Sequence, residues 1–142
     1  MNSALTIFDR IQSDAETSFE LAIYDGLPAI FDDMAPDDFV FGEDIAVIIA
    51  APMSNEPDPT LSEQSWVVVR DVRLYCRHTG SNARIDALAE HIRGLFHLQP
   101  EALFVDGGKC TIATATGPVA SPATDPALVG RRITLRLTLQ EN

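Results

Sequence analysis

The sequence predicts an α+β fold: a mostly antiparallel, mixed sheet of about four to five strands with two helices packed on one face. Two segments that alternate apolar and polar residues, Ser65–His78 and Arg131–Leu139, predict long strands. Between them, a segment ending at about Phe96 repeats apolar residues three and four positions apart, which indicates an amphipathic helix. A length of 142 residues, with 46% hydrophobic and 22% charged residues, is typical of one globular domain, here residues 1–142.

The N-terminal segment predicts a helix over residues 3–15 and then a short strand. Ser3 can cap this helix. The strand is expected over Phe19–Tyr24 and ends at the turn dipeptide Asp25-Gly26. Pro28 lacks a backbone N–H, so this part of the chain is predicted to be an edge or a loop. One stripe of the helix would carry Leu5, Phe8, Ile11 and Ala15.

The next segment alternates between acidic and apolar character. Residues 32–44 hold six acidic residues, one proline and one glycine, and are predicted to be a solvated, irregular connection. Ile45–Ala51 is a continuous apolar run, consistent with a strand covered on both faces. Pro52–Pro59 contains three prolines and two acidic residues, which predicts a loop.

The long strand Ser65–His78 and the helix after it would supply most of the core. Arg70 is the one charged residue on the apolar side of this strand, which suggests that the strand extends past the core there. Ser81 or Asn82 is expected to cap the following helix. The apolar side of the strand would present Val68, Val72, Leu74 and Cys76, and the helix stripe would present Ile85, Leu88, Ala89, Ile92, Leu95 and Phe96.

The C-terminal third predicts a hairpin, a loop and a last strand. Strands are expected over Ala102–Val105 and Cys110–Ala115, joined by a glycine-rich turn at residues 106–108. Residues 116–129 are rich in Gly, Pro, Ser, Thr and Ala and are predicted to be a loop. In the final strand, Arg131–Leu139, apolar residues alternate cleanly with arginines and threonines.

The polar side of the predicted sheet carries clustered arginines. Arg73 and Arg77 from one strand would lie beside Arg132 and Arg136 from the other, if the two strands pair. Like charges side by side destabilise a sheet unless a negative group covers them. The acidic loops of a neighbouring subunit would be suitable partners.

Charge is divided unevenly along the chain, whose formal net charge is −11. Residues 1–65 contain 14 acidic residues and one basic residue, a charge of −13. Residues 66–142 contain 7 acidic and 9 basic residues, a charge of +2. Two interpretations fit: loops collect acids while strands collect arginines, or an acidic face of one copy meets a basic face of another. The net charge argues against a broad duplex-DNA-binding surface, which needs dense Lys and Arg.

The sequence contains none of the common catalytic motifs. It has no nucleophile elbow, no phosphate-binding glycine loop and no zinc-protease helix motif. The three histidines are too scattered for a ligand set and are interpreted as surface or capping residues, and neither cysteine has the surroundings of a reactive thiolate. Asp32-Asp33 could bind a hard cation, but their spacing fits no calcium loop. We therefore expect no enzymatic activity, no cofactor and no metal.

The sequence also predicts no membrane association. The first ten residues lack the basic start and long apolar stretch of a signal peptide, and no run approaches the ~20 apolar residues that span a bilayer. The protein is therefore expected to be cytoplasmic while it is being made.

The order of elements resembles that of the tail terminator, or tail completion, proteins of long-tailed phages. It is similar in particular to the minor tail protein U type of lambda-like phages and to the tail-completion proteins of gene transfer agents. Within the stretch IYDGLPAIFDD, the most specific piece is Tyr24-Asp25-Gly26 with Pro28-Ala29 and the following Phe31-Asp32, and the resemblance extends over about residues 1–140. The later pieces are DIAVIIAA, WVVVRDVRLYCR, ARIDALAEHIRGLF and ITLRLTL.

The resemblance implies a structural protein with no reaction of its own. Such a protein forms a ring, expected to be a homohexamer, on the last ring of the tail tube at the head-proximal end of the virion tail. It stops tube polymerisation and offers a surface for the head-completion or neck protein, while DNA passes through the lumen without specific binding. The implied partners are therefore other copies of the chain, the tail tube protein and the neck protein, and the implied place of assembly is the bacterial host cytoplasm.

A ring requires two different patches on each subunit, and we expect the charged residues to supply them. A head–tail connector, stopper or other minor tail component is the nearest alternative, and a small metal-dependent hydrolase using Asp32, Asp33 and His78 is the third. The residues predicted to contact a neighbouring subunit or the tube are Asp25, Asp32, Asp33, Asp37, Asp38, Arg70, Arg73, Arg77, Arg132 and Arg136.

Overall fold

The computed structural model of the chain describes residues 2–58 and 64–142. Within these residues the helices are α1 (Ser3–Ser13), α2 (Ala15–Glu20) and α3 (Ala83–Phe96), and a short 3-10 turn spans Pro100–Ala102. The strands are β1 (Ile23–Tyr24), β2 (Leu27–Pro28), β3 (Ile30–Asp32), β4 (Ala46–Ile49), β5 (Ser54–Pro57), β6 (Ser65–Arg77), β7 (Gly108–Ala120) and β8 (Leu128–Glu141).

The fold is α+β, as predicted, with a sheet larger than expected. Six strands form one mixed sheet in the order β3-β4-β6-β8-β7, and β5 also pairs with β6. The β3–β4 pair is parallel and the other pairs in this sheet are antiparallel. Strands β1 and β2 form a separate two-stranded hairpin at the β3 end of the sheet.

The main core lies between the helices and one face of the sheet. The apolar stripe predicted for α3 is buried in full, and it packs with residues of β4, β6 and β8. Helix α1 adds Ile7 and Ile11, both with no exposed surface. Burial of large aliphatic side chains of this kind stabilises each by about 1.5–3 kcal/mol, so this layer holds the fold together.

The prediction for Arg70 was wrong, because the residue lies inside the core layer. Its side chain is only 9% exposed. The guanidinium donates hydrogen bonds to the Ala50 carbonyl at 2.9 Å and to Ser3 Oγ at 3.0 Å, and it reaches Asp32 Oδ1 at 3.5 Å. Arg70 is tolerated on the apolar side because these partners replace the water that it loses.

The acidic connection between β3 and β4 is irregular, as predicted, but it is not simply solvated. It folds back over the other face of the sheet, called here the open face, and packs Phe39 and Phe41 on it. Their rings join an edge-to-face series that runs from Tyr24 and Phe31 to Tyr75 on β6. The acidic side chains of this segment remain outside, so the segment is a lid with an aromatic underside.

The N-terminal elements differ from the prediction because the first helix breaks at Asp14. Asp14 ends α1, and its carboxylate accepts hydrogen bonds from the backbone N–H of Thr17 at 3.0 Å and from Thr17 Oγ1 at 2.7 Å. This capping starts a second helix, α2, within the predicted helix and strand. The strand predicted over Phe19–Tyr24 is therefore reduced to Ile23–Tyr24.

Two other loop predictions were wrong because sheet pairing overrides local composition. Ser54–Pro57 is a strand on β6, although it lies within the predicted Pro52–Pro59 loop; Pro59 itself lies outside the described residues. Of the hairpin predicted over residues 102–115, the strand Cys110–Ala115 is confirmed as part of β7, but Ala102–Val105 is not a strand. Instead, Gly108–Ala120 pairs with β8 and extends into the predicted 116–129 loop.

Candidate subunit interface

The pairing of β6 with β8 brings the predicted arginines onto one face. Arg73 lies directly opposite Arg132 in the register of the two strands. Arg136 lies further along β8, opposite Val69 of β6 and Thr114 of β7. Arg77 is at the end of β6, opposite Leu128. The expectation that the two arginine-bearing strands pair is therefore confirmed.

Asp71 is the negative group that the sequence analysis missed on this face. Its side chain is 3% exposed, and Oδ1 accepts a hydrogen bond from Thr134 Oγ1 at 2.7 Å. Its other oxygen lies 3.5 Å from Arg73 Nη2. The available signal was a lone carboxylate two residues before Arg73 on the polar side of the strand. Asp71 thus offsets part of the repulsion between Arg73 and Arg132 from within the same chain.

The ten predicted interface residues divide into internally paired and unpaired groups. Arg70 pairs with Asp32, Arg73 with Asp71, and Asp38 accepts a hydrogen bond from the Tyr24 hydroxyl at 2.8 Å. Among residues 2–58 and 64–142, the remaining six make no ion pair and are exposed: Asp25, Asp33, Asp37, Arg77, Arg132 and Arg136.

Hydrogen bonding and burial shift the pKa values of the paired groups. The hydrogen bond to Asp38 raises the pKa of Tyr24, because it stabilises the protonated phenol beside a carboxylate. Burial lowers the pKa of the Arg70 guanidinium, while Asp32 and Asp33 oppose that shift. These groups act inside the subunit, which leaves the six unpaired residues as the better candidates for contact with another molecule.

The backbone fixes two of the unpaired carboxylates in place. Asp25 and Gly26 both have positive φ, 52° and 79°, as the two central residues of a tight hairpin turn require. Asp33 also has a positive φ, 72°, and its N–H donates a 2.8 Å hydrogen bond to the Ile49 carbonyl. The acidic end of the sheet therefore presents carboxylates at defined positions rather than on a loose loop.

A shallow groove separates the acidic lid from the β7–β8 connection. Its volume is about 280 Å³, slightly below the range of small-molecule sites, so it suits side chains better than a ligand. Arg73 lies in it, and the Nε of this side chain is buried without a hydrogen-bond partner among the described residues. The groove is lined by Asp33, Met34, Ala35, Phe41, Ile48, Arg73, Tyr75, Pro122, Ala123, Thr124 and Leu128.

The residues considered for metal or thiol chemistry have other contacts. His78 Nδ1 accepts a hydrogen bond from the Gly80 N–H, His97 Nδ1 accepts one from the Ala115 N–H, and His91 Nε2 lies 2.8 Å from Asp14. No three His, Cys, Asp or Glu side chains in the described part of the chain are grouped to hold a metal ion. Burial raises the pKa of both thiols, that of Cys110 to about 11.

Across residues 2–58 and 64–142, none of the helices combines the length and the apolar character needed to cross a bilayer.

Comparison with known proteins gives a likeness of fold. No protein-family model matches the chain, and no curated protein matches it. Among solved structures, the chain is similar to one from the virion of a native gene transfer agent particle, with a TM-score of 0.69. The similarity covers 96% of this chain and 93% of that one at 13% sequence identity. At this identity it establishes a shared fold over nearly the whole length of both chains.

Proposed function

We propose that the protein is a structural component of a phage-like particle, and specifically a tail terminator. In this role it forms a six-fold ring on the end of the tail tube, stops tube polymerisation and provides the surface for head joining. The observation that carries the proposal is the fold shared with a gene transfer agent virion chain over 96% of this protein and 93% of the other. The resemblance of residues 23–33 to tail-completion proteins supports it independently.

The distribution of unpaired charge supports ring assembly. A closed ring uses heterologous contacts, in which each subunit offers two different patches. The lid and hairpin at the β3 end carry unpaired carboxylates, and β8 carries the unpaired Arg132 and Arg136. Patches of opposite charge on one chain are suited to bind successive copies head to tail.

The proposed role requires no bond to be made or broken. Its partners are other copies of the chain, the tail tube protein and the head-completion or neck protein, and DNA passes through the lumen without specific contacts. The acidic surface would disfavour adsorption of the passing DNA, because like charges repel. The protein would then be found at the head-proximal end of the virion tail.

Particles made with and without the gene test this function. We expect loss of the protein to give tails of uncontrolled length that fail to join heads, and immunogold electron microscopy to place the protein where tail meets head. Tails of normal length joined to heads in its absence would overturn the proposal. Tails of normal length that remain unjoined would instead indicate the alternative, a head–tail connector or stopper.

A further inference from the structure

We propose that neighbouring copies are joined by the β1–β2 hairpin of one chain, which docks on the β7–β8 half of the open face of the next. The inference rests on the proposed ring and identifies the two surfaces that form its contact. Below, the hairpin finger means residues 23–28, and the arginine strip means the open-face residues Ile112, Thr114, Thr116, Val119, Arg132, Thr134 and Arg136.

The hairpin finger is an exposed apolar element with a negative tip. It lies outside the six-stranded sheet, and Ile23 and Leu27 are 64% and 60% exposed. Asp25 at the turn is exposed and makes no ion pair with the described residues. A two-stranded hairpin is marginally stable by itself, and this one exposes two large aliphatic side chains to water. Both features indicate a surface that another molecule covers.

The arginine strip has the complementary composition. In the strand register, Val119 lies opposite Arg132, Thr116 opposite Thr134 and Thr114 opposite Arg136. Ile112 continues the row, and both it and Val119 are nearly half exposed, at 47% and 48%. The strip therefore has apolar side chains at its ends and two unpaired guanidinium groups between them. Its length is about 20 Å, from the rise of seven strand residues.

The positions of the two surfaces suit a head-to-tail contact. The finger is anchored beside β3 and β4, since the Ala29 N–H donates to the Ala22 carbonyl and the Ala22 N–H donates to the Ile45 carbonyl. The strip lies at the opposite end of the sheet order, on β8 and β7. Surfaces at opposite ends of one subunit cannot meet within it, but they can meet between successive copies in a ring.

The edge of β7 itself is closed to strand addition at its centre, which leaves the face as the contact surface. The Leu98 N–H donates to the Ala113 carbonyl at 2.9 Å, and the Ala115 N–H donates to His97 Nδ1 at 3.1 Å. These bonds use outward backbone groups that an added strand would need. A partner must therefore bind through side chains on the strip.

A protein segment fits the strip better than a nucleic acid does. Phosphate recognition would use the arginines alone, and it would leave Ile112 and Val119 exposed. The finger offers carboxylate and aliphatic groups together, and the chain carries 21 acidic against 10 basic residues. The occupant that matches both properties is a second copy of this chain.

Disulfide trapping between two variants tests the contact directly. Leu27→Cys protein is mixed with Val119→Cys protein at neutral pH, oxidised, and resolved on a non-reducing gel. The native Cys76 and Cys110 are buried, and the raised pKa of both thiols keeps them unreactive under these conditions. We expect a mixed dimer in the mixture that neither variant forms by itself, and a ladder up to a hexamer from the double variant.

A matched control and a charge exchange make the result specific. Phe104 is at least as exposed as Val119, at 57% against 48%, but lies outside the strip, so a mixture of Phe104→Cys with Leu27→Cys should give about tenfold less dimer. Adding Asp25→Arg to the Leu27→Cys variant should lower the yield of trapped dimer about tenfold, because the new arginine would face the arginines of the strip. Arg132→Asp added to the strip variant should restore the yield, a rescue that general misfolding would not give.

The opposing results separate this inference from the proposed function. Efficient trapping through Phe104→Cys, or none through Val119→Cys while sedimentation still shows a hexamer, would place the contact elsewhere and leave the ring intact. If Arg132→Asp abolished retention on immobilised single-stranded DNA and left the trapping yield unchanged, the strip would be a nucleic-acid surface. A chain that is never trapped and sediments as a monomer, both free and in particle extracts, would contradict contact and ring together.

Discussion

The two ends of the open sheet face have opposite surroundings. At the β3 end, the acidic lid covers the strands with interlocking aromatic rings, and Phe39 lies 4.9 Å from Phe31 and 5.1 Å from Phe41, centroid to centroid. At the β7 end, no segment among residues 2–58 and 64–142 covers the two exposed arginines, Arg132 and Arg136, or the half-exposed Ile112 and Val119. The sheet face is continuous from one end to the other, but only one end is part of a core.

This difference indicates that the two ends of the sheet face have different roles: the covered end stabilises the fold, and the bare end is available for assembly. The covered end uses its carboxylates and rings to hold the lid in one conformation, as in the 2.8 Å hydrogen bond from Tyr24 to Asp38. The bare end gains little by itself, because exposed arginines without partners add almost nothing to folding. Substitutions at the covered end should therefore affect unfolding, and substitutions at the bare end should affect association.

Phe39→Ala is expected to have the largest effect on folding. The side chain contacts three other rings, and losing a half-buried aromatic residue of this kind should lower the free energy of unfolding by about 2–3 kcal/mol. Chemical denaturation followed by circular dichroism measures it. Val119→Ala at the bare end is the matched control and should change stability by no more than about 0.5 kcal/mol. Equal losses for both variants would remove the distinction between the two ends.

Asp71→Ala should come second, with a loss of about 1–2 kcal/mol. The buried carboxylate accepts a hydrogen bond from Thr134 and lies beside Arg73, so its removal leaves both groups without that partner. The same denaturation experiment applies, with the exposed Asp37→Ala as a control that should be nearly neutral. A neutral Asp71→Ala variant would mean that the arginine pair needs no compensation within the subunit.

Arg132→Ala should change the free energy of unfolding by no more than about 0.5 kcal/mol, since the side chain is exposed and unpaired within the described residues. Its effect should appear in assembly, measured by sedimentation at several protein concentrations, as a shift toward smaller species. Thr116→Ala, on the same strip but uncharged, serves for comparison. Destabilisation by Arg132→Ala with unchanged association would reverse the assignment of this end.

The smallest expected effect is on the titration of Tyr24. Because its pKa is raised in the folded state, the contribution to stability is present below the ordinary tyrosine pKa of about 10 and is lost as pH rises through the raised value. Ultraviolet titration in a Tyr75→Phe background, which leaves one tyrosine, should show ionisation above the ordinary value. Asp38→Asn should lower the pKa of Tyr24 toward the ordinary value. Ordinary titration in both proteins would show that the lid does not hold Asp38 in place.

The elements with strong local patterns could be predicted from the sequence. Strands β6 and β8 and helix α3 carry clear two-residue or three-to-four-residue periodicity, and each lies within one to three residues of its predicted limits. The arginines on the open face followed from that alternation once the strands were assumed to pair. Their alignment, with Arg73 opposite Arg132, required the register itself.

The missed parts of the sheet have little local pattern. Strand β7, GKCTIATATGPVA, was predicted only over Cys110–Ala115; its extension to Ala120 consists of small residues, a glycine and a proline, and it is a strand because its backbone pairs with β8. Strand β5, SNEP, has low strand propensity and depends on β6 in the same way. The burial of Phe39 and Phe41 depends on a lid that folds back over the sheet, and no local periodicity indicates such a path.

The sequence by itself determined the fold class, the apolar faces of β6, α3 and β8 and the division of charge between the two halves. These properties can be read from the order of residues along the chain, because the regular repeat of a helix or strand determines on which of its faces each residue lies. Tertiary structure decided which charged residues are paired and which are available. Arg70 and Arg136 occur in similar alternating strands, but Arg70 is enclosed by α1 and the Ala50 carbonyl, whereas Arg136 is exposed and has no ion-pair partner among the described residues. That outcome depends on which distant segments pack over each face, and so it was decided by the assembled fold.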